Sequence, residues 1–269
     1  MRSYICFPNG RFKVLTMSYD DGKLEDRRLI EIFNKNGIKG TFHINSGLFS
    51  QDIRIKAEEL PKLYEGHEIA CHTLTHPTIG RCPLSEVISE IAEDRVNLER
   101  IVKKPVQGLS YPNGSYSKEI ENVLPALGIK YSRIVGNSDA FELPTNLYEW
   151  KATCHHNHRL LELGRSFCDL NKKQYLYMMY VWGHSYEFER DNNWTLMEEF
   201  CSMMGGREDI WYATNLEYVN YMEAARSLVY AYDLSFVYNP SALSVWIAVN
   251  SDNIIEVPAG TQVDLSSYK

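Results

Sequence analysis

The chain has 269 residues, 44% of them hydrophobic and 23% charged, which is typical of one large or two small globular domains. Its net charge of -7 argues against a nucleic acid or an anionic membrane as a partner. The N-terminus lacks the apolar core of a signal peptide, no segment reaches membrane-spanning length, and the six cysteines form no CxxC pair. We therefore expect a cytoplasmic protein with free thiols, although a secreted protein trimmed of its leader would look the same.

Segments of two kinds alternate along most of the chain. Apolar, β-branched runs predict strands, and apolar residues at helical spacing predict helices. The predicted strands cover residues 12–19, 38–45, 67–71, 106–111, 131–135, 147–153, 175–183 and 210–214. The predicted helices cover residues 24–36, 57–64, 83–102, 117–127, 159–170, 194–204 and 216–229. Such alternation implies a parallel sheet with helices outside it, and seven or eight strands are enough to close a barrel.

The pattern changes near Ala231. Short alternating runs over residues 234–238, 243–249 and 254–257 are separated by turn residues and predict antiparallel strands. These runs are too short to form a core of their own, so we expect them to pack on the barrel. The predicted organisation is a barrel domain over residues 1–230 and a small β appendage over residues 231–269.

Several chemically active side chains follow predicted strand ends. Asp20 and Asp21 end the first strand, His72 and His76 follow the third, and His184 follows the seventh. Barrel enzymes place their active sites at this end of the strands. Two imidazoles and one carboxylate can bind a divalent metal and leave positions open, and a second aspartate could act as a base on metal-bound water. The residues alone predict a metal-dependent hydrolase but do not decide which aspartate is the ligand.

Four motifs carry a family resemblance. Tyr19-Asp20-Asp21-Gly22 and His72-Thr73-Leu74-Thr75-His76-Pro77 occur in this order after strands, followed by Tyr111-Pro112-Asn113-Gly114 and Trp182-Gly183-His184. Over about residues 14–214 the chain resembles the NodB-homology polysaccharide deacetylases, carbohydrate esterase family 4. Either of the first two motifs alone would be weak, since Asp-Asp-Gly is also an ordinary turn.

The resemblance implies a distorted (β/α)7-8 barrel that removes acetyl groups from N-acetylated sugars. It implies that Asp21, His72 and His76 bind the metal, with zinc favoured over cobalt, manganese or iron. It implies that Asp20 is the base that activates the metal-bound water and that His184 is the acid that protonates the leaving group.

The resemblance also implies a set of residues around the acetyl group. These substrate-binding residues are Tyr111, Pro112, Asn113 and Trp182. A backbone N–H near Tyr111 would help the metal to hold the oxyanion.

The chain departs from the family pattern at two positions. Ser110 stands where the third motif commonly has an arginine, and Asn146 stands where an aspartate commonly precedes a tryptophan, here Trp150. Because both charges are lost together, we expect neither to leave an uncompensated buried partner. This pattern favours a changed set of polar contacts around the base and the acid over a site that has lost its activity.

A cluster of histidines follows the Trp150 strand. His155 and His156 are adjacent, and neighbours on an extended chain face opposite ways, so we do not expect them to share one ion. For His155, His156 and His158 a structural or substrate-contact role is favoured over a second metal. Glu187 is near enough in sequence to orient His184.

The sequence thus favours a metal-dependent deacetylase that hydrolyses an N- or O-acetyl group of a carbohydrate. One alternative is an allantoinase-like hydrolase of a small cyclic amide. The other is a non-catalytic carbohydrate-binding protein that keeps the metal site, although binding alone does not require the free base Asp20. The sugar, its chain length and the oligomeric state are not given by the sequence.

Overall fold

The computed structural model describes residues 1–251 and 253–268. Its strands are β1 (Ser3–Cys6), β2 (Lys13–Asp20), β3 (Gly40–Ile44), β4 (Glu68–Cys71), β5 (Gly108–Ser110), β6 (Tyr131–Asn137), β7 (Trp150–Ala152), β8 (Cys154–His155), β9 (Tyr177–His184), β10 (Ile210–Tyr212), β11 (Val229–Tyr230), β12 (Phe236–Tyr238), β13 (Val245–Val249), β14 (Asn253–Val257) and β15 (Gln262–Asp264). Its α-helices are α1 (Asp26–Lys35), α2 (Leu60–Leu63), α3 (Leu84–Val102), α4 (Lys118–Val123), α5 (Leu160–Cys168), α6 (Tyr186–Arg190), α7 (Trp194–Met204) and α8 (Asn215–Arg226). None of the helices in the described ranges has the length and hydropathy needed to cross a bilayer.

Nine parallel strands form the main sheet. Their order is β7-β6-β5-β4-β3-β2-β9-β8, and β10 pairs with the first part of β2. The two ends of this order, β7 and β8, follow each other in the chain with one residue between them. Strand β7 pairs with β6 and β8 pairs with β9, so this segment joins the two ends of the sheet. The prediction of an α/β barrel-like fold with additional antiparallel strands is therefore confirmed.

The core explains why the central strands are continuous apolar runs. Every residue of β2 is buried, as expected for a parallel strand covered on one face by barrel side chains and on the other by helices. Helix α1 buries Leu29, Ile32 and Phe33 against this sheet, as its 3.6-residue spacing predicts. The burial holds β2 rigidly, and β2 carries Asp20 at its end.

The largest departure from the predicted elements lies before β7. The expected strand over residues 147–153 begins instead as a 3-10 turn, because the side chain of Asn146 accepts a hydrogen bond from the N–H of Tyr148 at 2.9 Å. Strands β1, β8, β11 and β15 and helix α6 were not predicted. All five are short, with at most five residues each.

The C-terminal strands form two three-stranded sheets. One has the order β1-β13-β14, so the N-terminal strand completes it, and the other has the order β11-β12-β15. The Tyr221 hydroxyl of α8 donates to the carbonyl of Cys6 at 2.6 Å and accepts from the N–H of Trp246 at 3.0 Å. These bonds join the barrel to two of the three strands of the first sheet, β1 and β13. Asp252 and Lys269, which belong to the predicted appendage, lie outside the described residues, and the boundary between residues 230 and 231 stays a prediction.

Candidate active site

Parallel pairing brings the polar strand ends to one mouth of the barrel. Asp20, the last residue of β2, lies in register with His43 of β3 and with His184 of β9. His72 follows the end of β4, the next strand along from β3. Four chain segments that are distant in sequence therefore meet around Asp20.

The predicted metal ligands are close together. One donor atom each of Asp21, His72 and His76 lies within 4.8 Å of the others, and Nε2 of His76 is 3.8 Å from Oδ1 of Asp21. Asp21 and His76 have φ angles of 82° and 65°, a left-handed backbone that non-glycine residues rarely adopt. Such conformations cost free energy and concentrate at functional sites. The observation supports a functional role for these residues.

Hydrogen bonds fix the orientation of His72. Its Nδ1 lies 2.8 Å from the carbonyl oxygen of Ser110, which can only accept, so Nδ1 carries the proton and Nε2 keeps its lone pair. Burial lowers the pKa of His72 to about 4, so the imidazole is neutral near pH 7. The backbone N–H of His72 donates to Oδ2 of Asp94 at 3.1 Å. A neutral, oriented imidazole is the form that binds a metal, so the residues present fit a divalent ion such as zinc.

Asp20 lies in a dense polar network. It forms an ion pair with Arg133 and accepts a hydrogen bond from Oγ of Ser110 at 3.0 Å, while Nδ1 of His43 is 3.3 Å away. Burial alone raises the pKa of this carboxyl, but the Arg133 guanidinium and the His72 and His43 imidazoles outweigh it and hold the pKa of Asp20 well below its usual range. Asp20 is therefore ionised over the whole neutral and mildly acidic range.

Arg133 was missed by the sequence analysis. Ser110 occupies the usual arginine position, and the sequence analysis expected a changed network around the base without naming the residue that completes it. Strand β6 supplies the guanidinium instead, with the Arg133 side chain 1% exposed and placed 4.3 Å over the ring of Trp182. A buried arginine in the apolar strand of residues 131–135 was the available signal, since such a charge requires a partner.

His184 lies beside a carboxylate. Its Nδ1 is 3.6 Å from Oε2 of Glu187. Burial lowers the pKa of His184, but the nearby Glu187 carboxylate and the charges of Asp20 and Asp21 outweigh it and raise the pKa above its usual value. Because of its raised pKa, His184 keeps its proton up to a higher pH than an ordinary histidine does.

The histidine cluster differs from the geometry expected of an extended chain. Nε2 of His155 lies 2.9 Å and Nε2 of His156 lies 3.3 Å from the same oxygen, Oε2 of Glu187. The two rings converge because the chain leaves β8 after His155 and turns, so the alternation of an extended chain ends there. His158 points elsewhere and contacts Asp139 at 2.9 Å.

The predicted substrate residues occupy different environments. Tyr111 is 1% exposed, its hydroxyl donates to the carbonyl of Tyr148 at 3.0 Å, and its N–H donates to the carbonyl of Arg133 at 3.1 Å. Its side chain and its own N–H are therefore both engaged inside the protein, and its role in binding substrate stays a prediction. Pro112 and Trp182 are also buried, whereas Asn113 is exposed.

Comparison with known proteins agrees with the fold and the motifs. Residues 8–132, somewhat less than half of the chain, match the polysaccharide deacetylase family model. This part of the chain is therefore similar to polysaccharide deacetylases. The matched region includes both aspartates, His72 and His76, while Arg133 and His184 lie beyond it.

Individual relatives are distant. A chitin deacetylase from Arthroderma benhamiae is 28% identical over 141 residues, which are 50% of this chain and 35% of that protein. A polysaccharide deacetylase homologue from Mycobacterium smegmatis superposes with a TM-score of 0.63 at 14% identity, covering 82% of this chain and 94% of that one. A carbohydrate esterase family 4 pseudoenzyme from Bacillus anthracis gives 0.50 at 14% identity, covering 80% and 68%. These structures show the fold, and the chain spans about a third of the length of the curated relative.

Proposed function

We propose that this protein is a metal-dependent hydrolase that removes an acetyl group from an N- or O-acetylated carbohydrate. The observation that carries the proposal is the joint placement of three metal-type donors and a separate buried carboxylate at one mouth of the barrel. A binding protein would need the donors but not the ionised Asp20 beside them. The family match to polysaccharide deacetylases supports the acetylated sugar as the substrate class.

Asp21, His72 and His76 are the proposed metal ligands, with zinc as the favoured ion. When bound, such an ion lowers the pKa of a water molecule and polarises a carbonyl group. His72 contributes through Nε2, because the Ser110 carbonyl fixes its other ring nitrogen as a donor. Arg54 helps to position Asp21, because one of its guanidinium nitrogens donates to the Asp21 carbonyl and the other lies 3.8 Å from Oδ1.

Asp20 is the proposed base. It accepts the proton of the attacking water as the tetrahedral intermediate forms at the acetyl carbon. Ser110 and Arg133 hold its two oxygens in place, so it does not need to reorganise during the reaction.

His184 is the proposed acid. It lies in register with Asp20 on the adjacent strand and holds its proton with a raised pKa, next to Glu187. It donates this proton to the departing nitrogen or oxygen, which leaves as a neutral amine or alcohol.

The deciding experiment compares Asp20→Asn with wild type for bound zinc and for acetyl release from N-acetylated oligosaccharides. We expect the variant to keep about one ion at the Asp21 site and to lose turnover by roughly 10²- to 10⁴-fold, the usual contribution of a positioned base. Asp20→Asn also leaves Arg133 without its partner, so the double variant Asp20→Asn/Arg133→Met controls for a buried unpaired charge. Full activity of a folded Asp20→Asn protein would show that the base is misassigned.

A further inference from the structure

We propose that Glu187 and His155 are positioning residues for His184. In this arrangement His155 fixes the carboxylate of Glu187, and Glu187 orients the imidazole that serves as the acid. This role rests on the proposed function and deepens it, because it names the residues through which the acid is held ready. His155 ends β8, His184 ends β9 and Glu187 lies on helix α6, so the fold brings three elements together beside the barrel mouth.

The ring proton of His155 faces Glu187. Nδ1 of His155 accepts the backbone N–H of Asn157 at 3.2 Å, so the proton of the neutral ring is on Nε2. That Nε2 lies 2.9 Å from Oε2 of Glu187 and donates to it. The backbone N–H of His155 donates to Oδ1 of Asn137 at 2.7 Å, and the ring packs edge-on against Trp182 with 4.7 Å between the ring centroids. His155 is therefore a donor in a fixed position.

Glu187 keeps its negative charge in these surroundings. Burial raises its pKa, but the hydrogen bond from His155 and the nearby His184 imidazole outweigh burial and hold the pKa below its usual range. Arg190 lies 3.5 Å from Oε1, so the second oxygen also faces a donor. A carboxylate that is held at both oxygens places its charge at one fixed point beside His184.

Oε2 of Glu187 faces both the backbone and the ring of His184. It accepts the backbone N–H of His184 at 3.4 Å and lies 3.6 Å from the ring atom Nδ1. Nδ1 is buried and has no hydrogen-bond partner among the described residues. A carboxylate on this side of an imidazole favours a proton on Nδ1 and stabilises the positive ring. Nε2, on the opposite side of the ring, is then the nitrogen that gives its proton to the leaving group.

His156 closes the buried side of this cluster. Its Nε2 lies 3.3 Å from Oε2 of Glu187, and burial lowers its pKa to about 3, so the ring is neutral. The ring stacks on Phe188 at 4.1 Å and on Tyr19 at 5.8 Å. Gly183 leaves the space for it, because a Cβ atom at that position would overlap the imidazole. The packed ring fills the space behind Glu187 and keeps the carboxylate turned towards the other two histidines.

Steady-state kinetics on two substrates with different leaving groups test these roles. Glu187→Gln should leave KM for an N-acetylated oligosaccharide nearly unchanged and lower kcat by about tenfold or more, but not beyond the roughly 10²- to 10⁴-fold contribution of the acid itself. Turnover of an aryl acetate should change little, because a phenolate leaves without a proton. His155→Phe should have the same effects, whereas His155→Gln, which keeps an N–H near the position of Nε2, should retain more activity.

A double-variant cycle separates positioning from a merely structural role. If Glu187 acts through His184, Glu187→Gln should cause no further loss in a His184→Ala background. Glu189→Gln is the matched control, because Glu189 lies on the same helix but accepts from Nε1 of Trp194 at 2.9 Å. Wild-type kcat in Glu187→Gln, an equal loss on both substrates, or a further loss in the His184→Ala background would overturn the proposal.

Nitrogen NMR spectra of the protein with labelled histidine rings give a reading that needs no activity. In wild type the neutral His155 should carry its proton on Nε2 and the neutral His184 on Nδ1, and His184 should lose this preference in Glu187→Gln. A wild-type His184 protonated on Nε2 alone would contradict the role of Glu187. If the wild-type protein releases acetate from neither substrate, the proposed function fails, and the spectra still decide whether Glu187 orients His184.

Discussion

At the scale of single residues, the ion pair of Asp20 with Arg133 is the main feature of this site that the sequence motifs did not indicate. The guanidinium comes from β6, a strand that is not adjacent to β2 in the barrel. Electrostatics requires only that a cation reach the carboxylate, not that it come from a particular strand. Ser110, at the usual arginine position, instead orients both Asp20 and His72 through its hydroxyl group.

Replacing Arg133 by methionine should raise the pKa of Asp20, because the largest stabilising charge is removed from a buried carboxylate. The acid limb of the pH-rate profile should then move to higher pH, since activity is lost as pH falls through the pKa of the base. We also expect a loss of stability of about 3–5 kcal/mol, as for other broken buried pairs. Denaturant titration and pH-rate profiles measure the two effects, and an unchanged acid limb would contradict the role of Arg133.

His184→Ala should separate the acid from the rest of the mechanism. Turnover on an N-acetylated sugar should fall by about 10²- to 10⁴-fold, because an amine leaves only when protonated. Turnover on an aryl acetate should fall much less, because a phenolate leaves without a proton. Equal losses on both substrates would exclude His184 as the acid.

At the scale of elements, helix α3 sets the position of the second motif. Asp94 accepts the N–H of Ser46 at 2.7 Å and the N–H of His72 at 3.1 Å, so one helix residue anchors the loops after two neighbouring strands. Asn45 also stabilises the loop after β4, because its side-chain amide donates to the carbonyls of His72 and Thr73. The proposed ligand His72 is therefore held by buried polar contacts and not by its own short loop alone.

Asp94→Asn should weaken metal binding at the Asp21 site. An amide presents one oxygen and one N–H₂ group to the N–H groups of Ser46 and His72, so one of the two bonds is lost, although the N–H of His72 keeps the carbonyl of Ile44 at 3.1 Å. We expect a loss of affinity of about 10- to 100-fold, as for other residues that orient metal ligands. Competition with a chromophoric chelator measures it, and Glu93→Gln, on the exposed face of the same helix, is the control.

At the scale of the whole molecule, a buried carboxyl group at a junction of barrel elements should make stability depend on pH. Burial raises the pKa of Glu68 to about 7, despite hydrogen bonds from Tyr131 at 2.7 Å, Thr41 at 2.9 Å and the N–H of Leu216 at 2.8 Å. These partners connect β3, β4, β6 and α8. A single titrating group thus lies where four barrel elements meet.

The free energy of unfolding should therefore fall with rising pH through this group. The folded protein keeps the proton on Glu68 up to about pH 7, whereas the unfolded chain releases it near 4.5. The stabilising contribution is complete below about 4.5, is lost as pH rises to about 7, and amounts to at most about 3 kcal/mol at 1.36 kcal/mol per pKa unit. Urea titrations of wild type and Glu68→Gln between pH 5 and 8 should differ in slope, and parallel curves would exclude Glu68 as the group.

The sequence by itself determined the alternation of strands and helices, the parallel α/β class and the placement of the active side chains at strand ends. Those features depend on local periodicity and on short motifs such as Ser18-Tyr19-Asp20-Asp21-Gly22, which are visible in one segment at a time.

Only the tertiary structure decided which distant residues meet. Arg133 at Asp20, the convergence of His155 and His156 on Glu187, and the pairing of β1 with β13 all join segments far apart in the chain. The same holds for the burial of Tyr111, which the family resemblance implied as a substrate-binding residue. Contacts of this kind depend on strand order and on packing in three dimensions, and local sequence does not encode either of them directly.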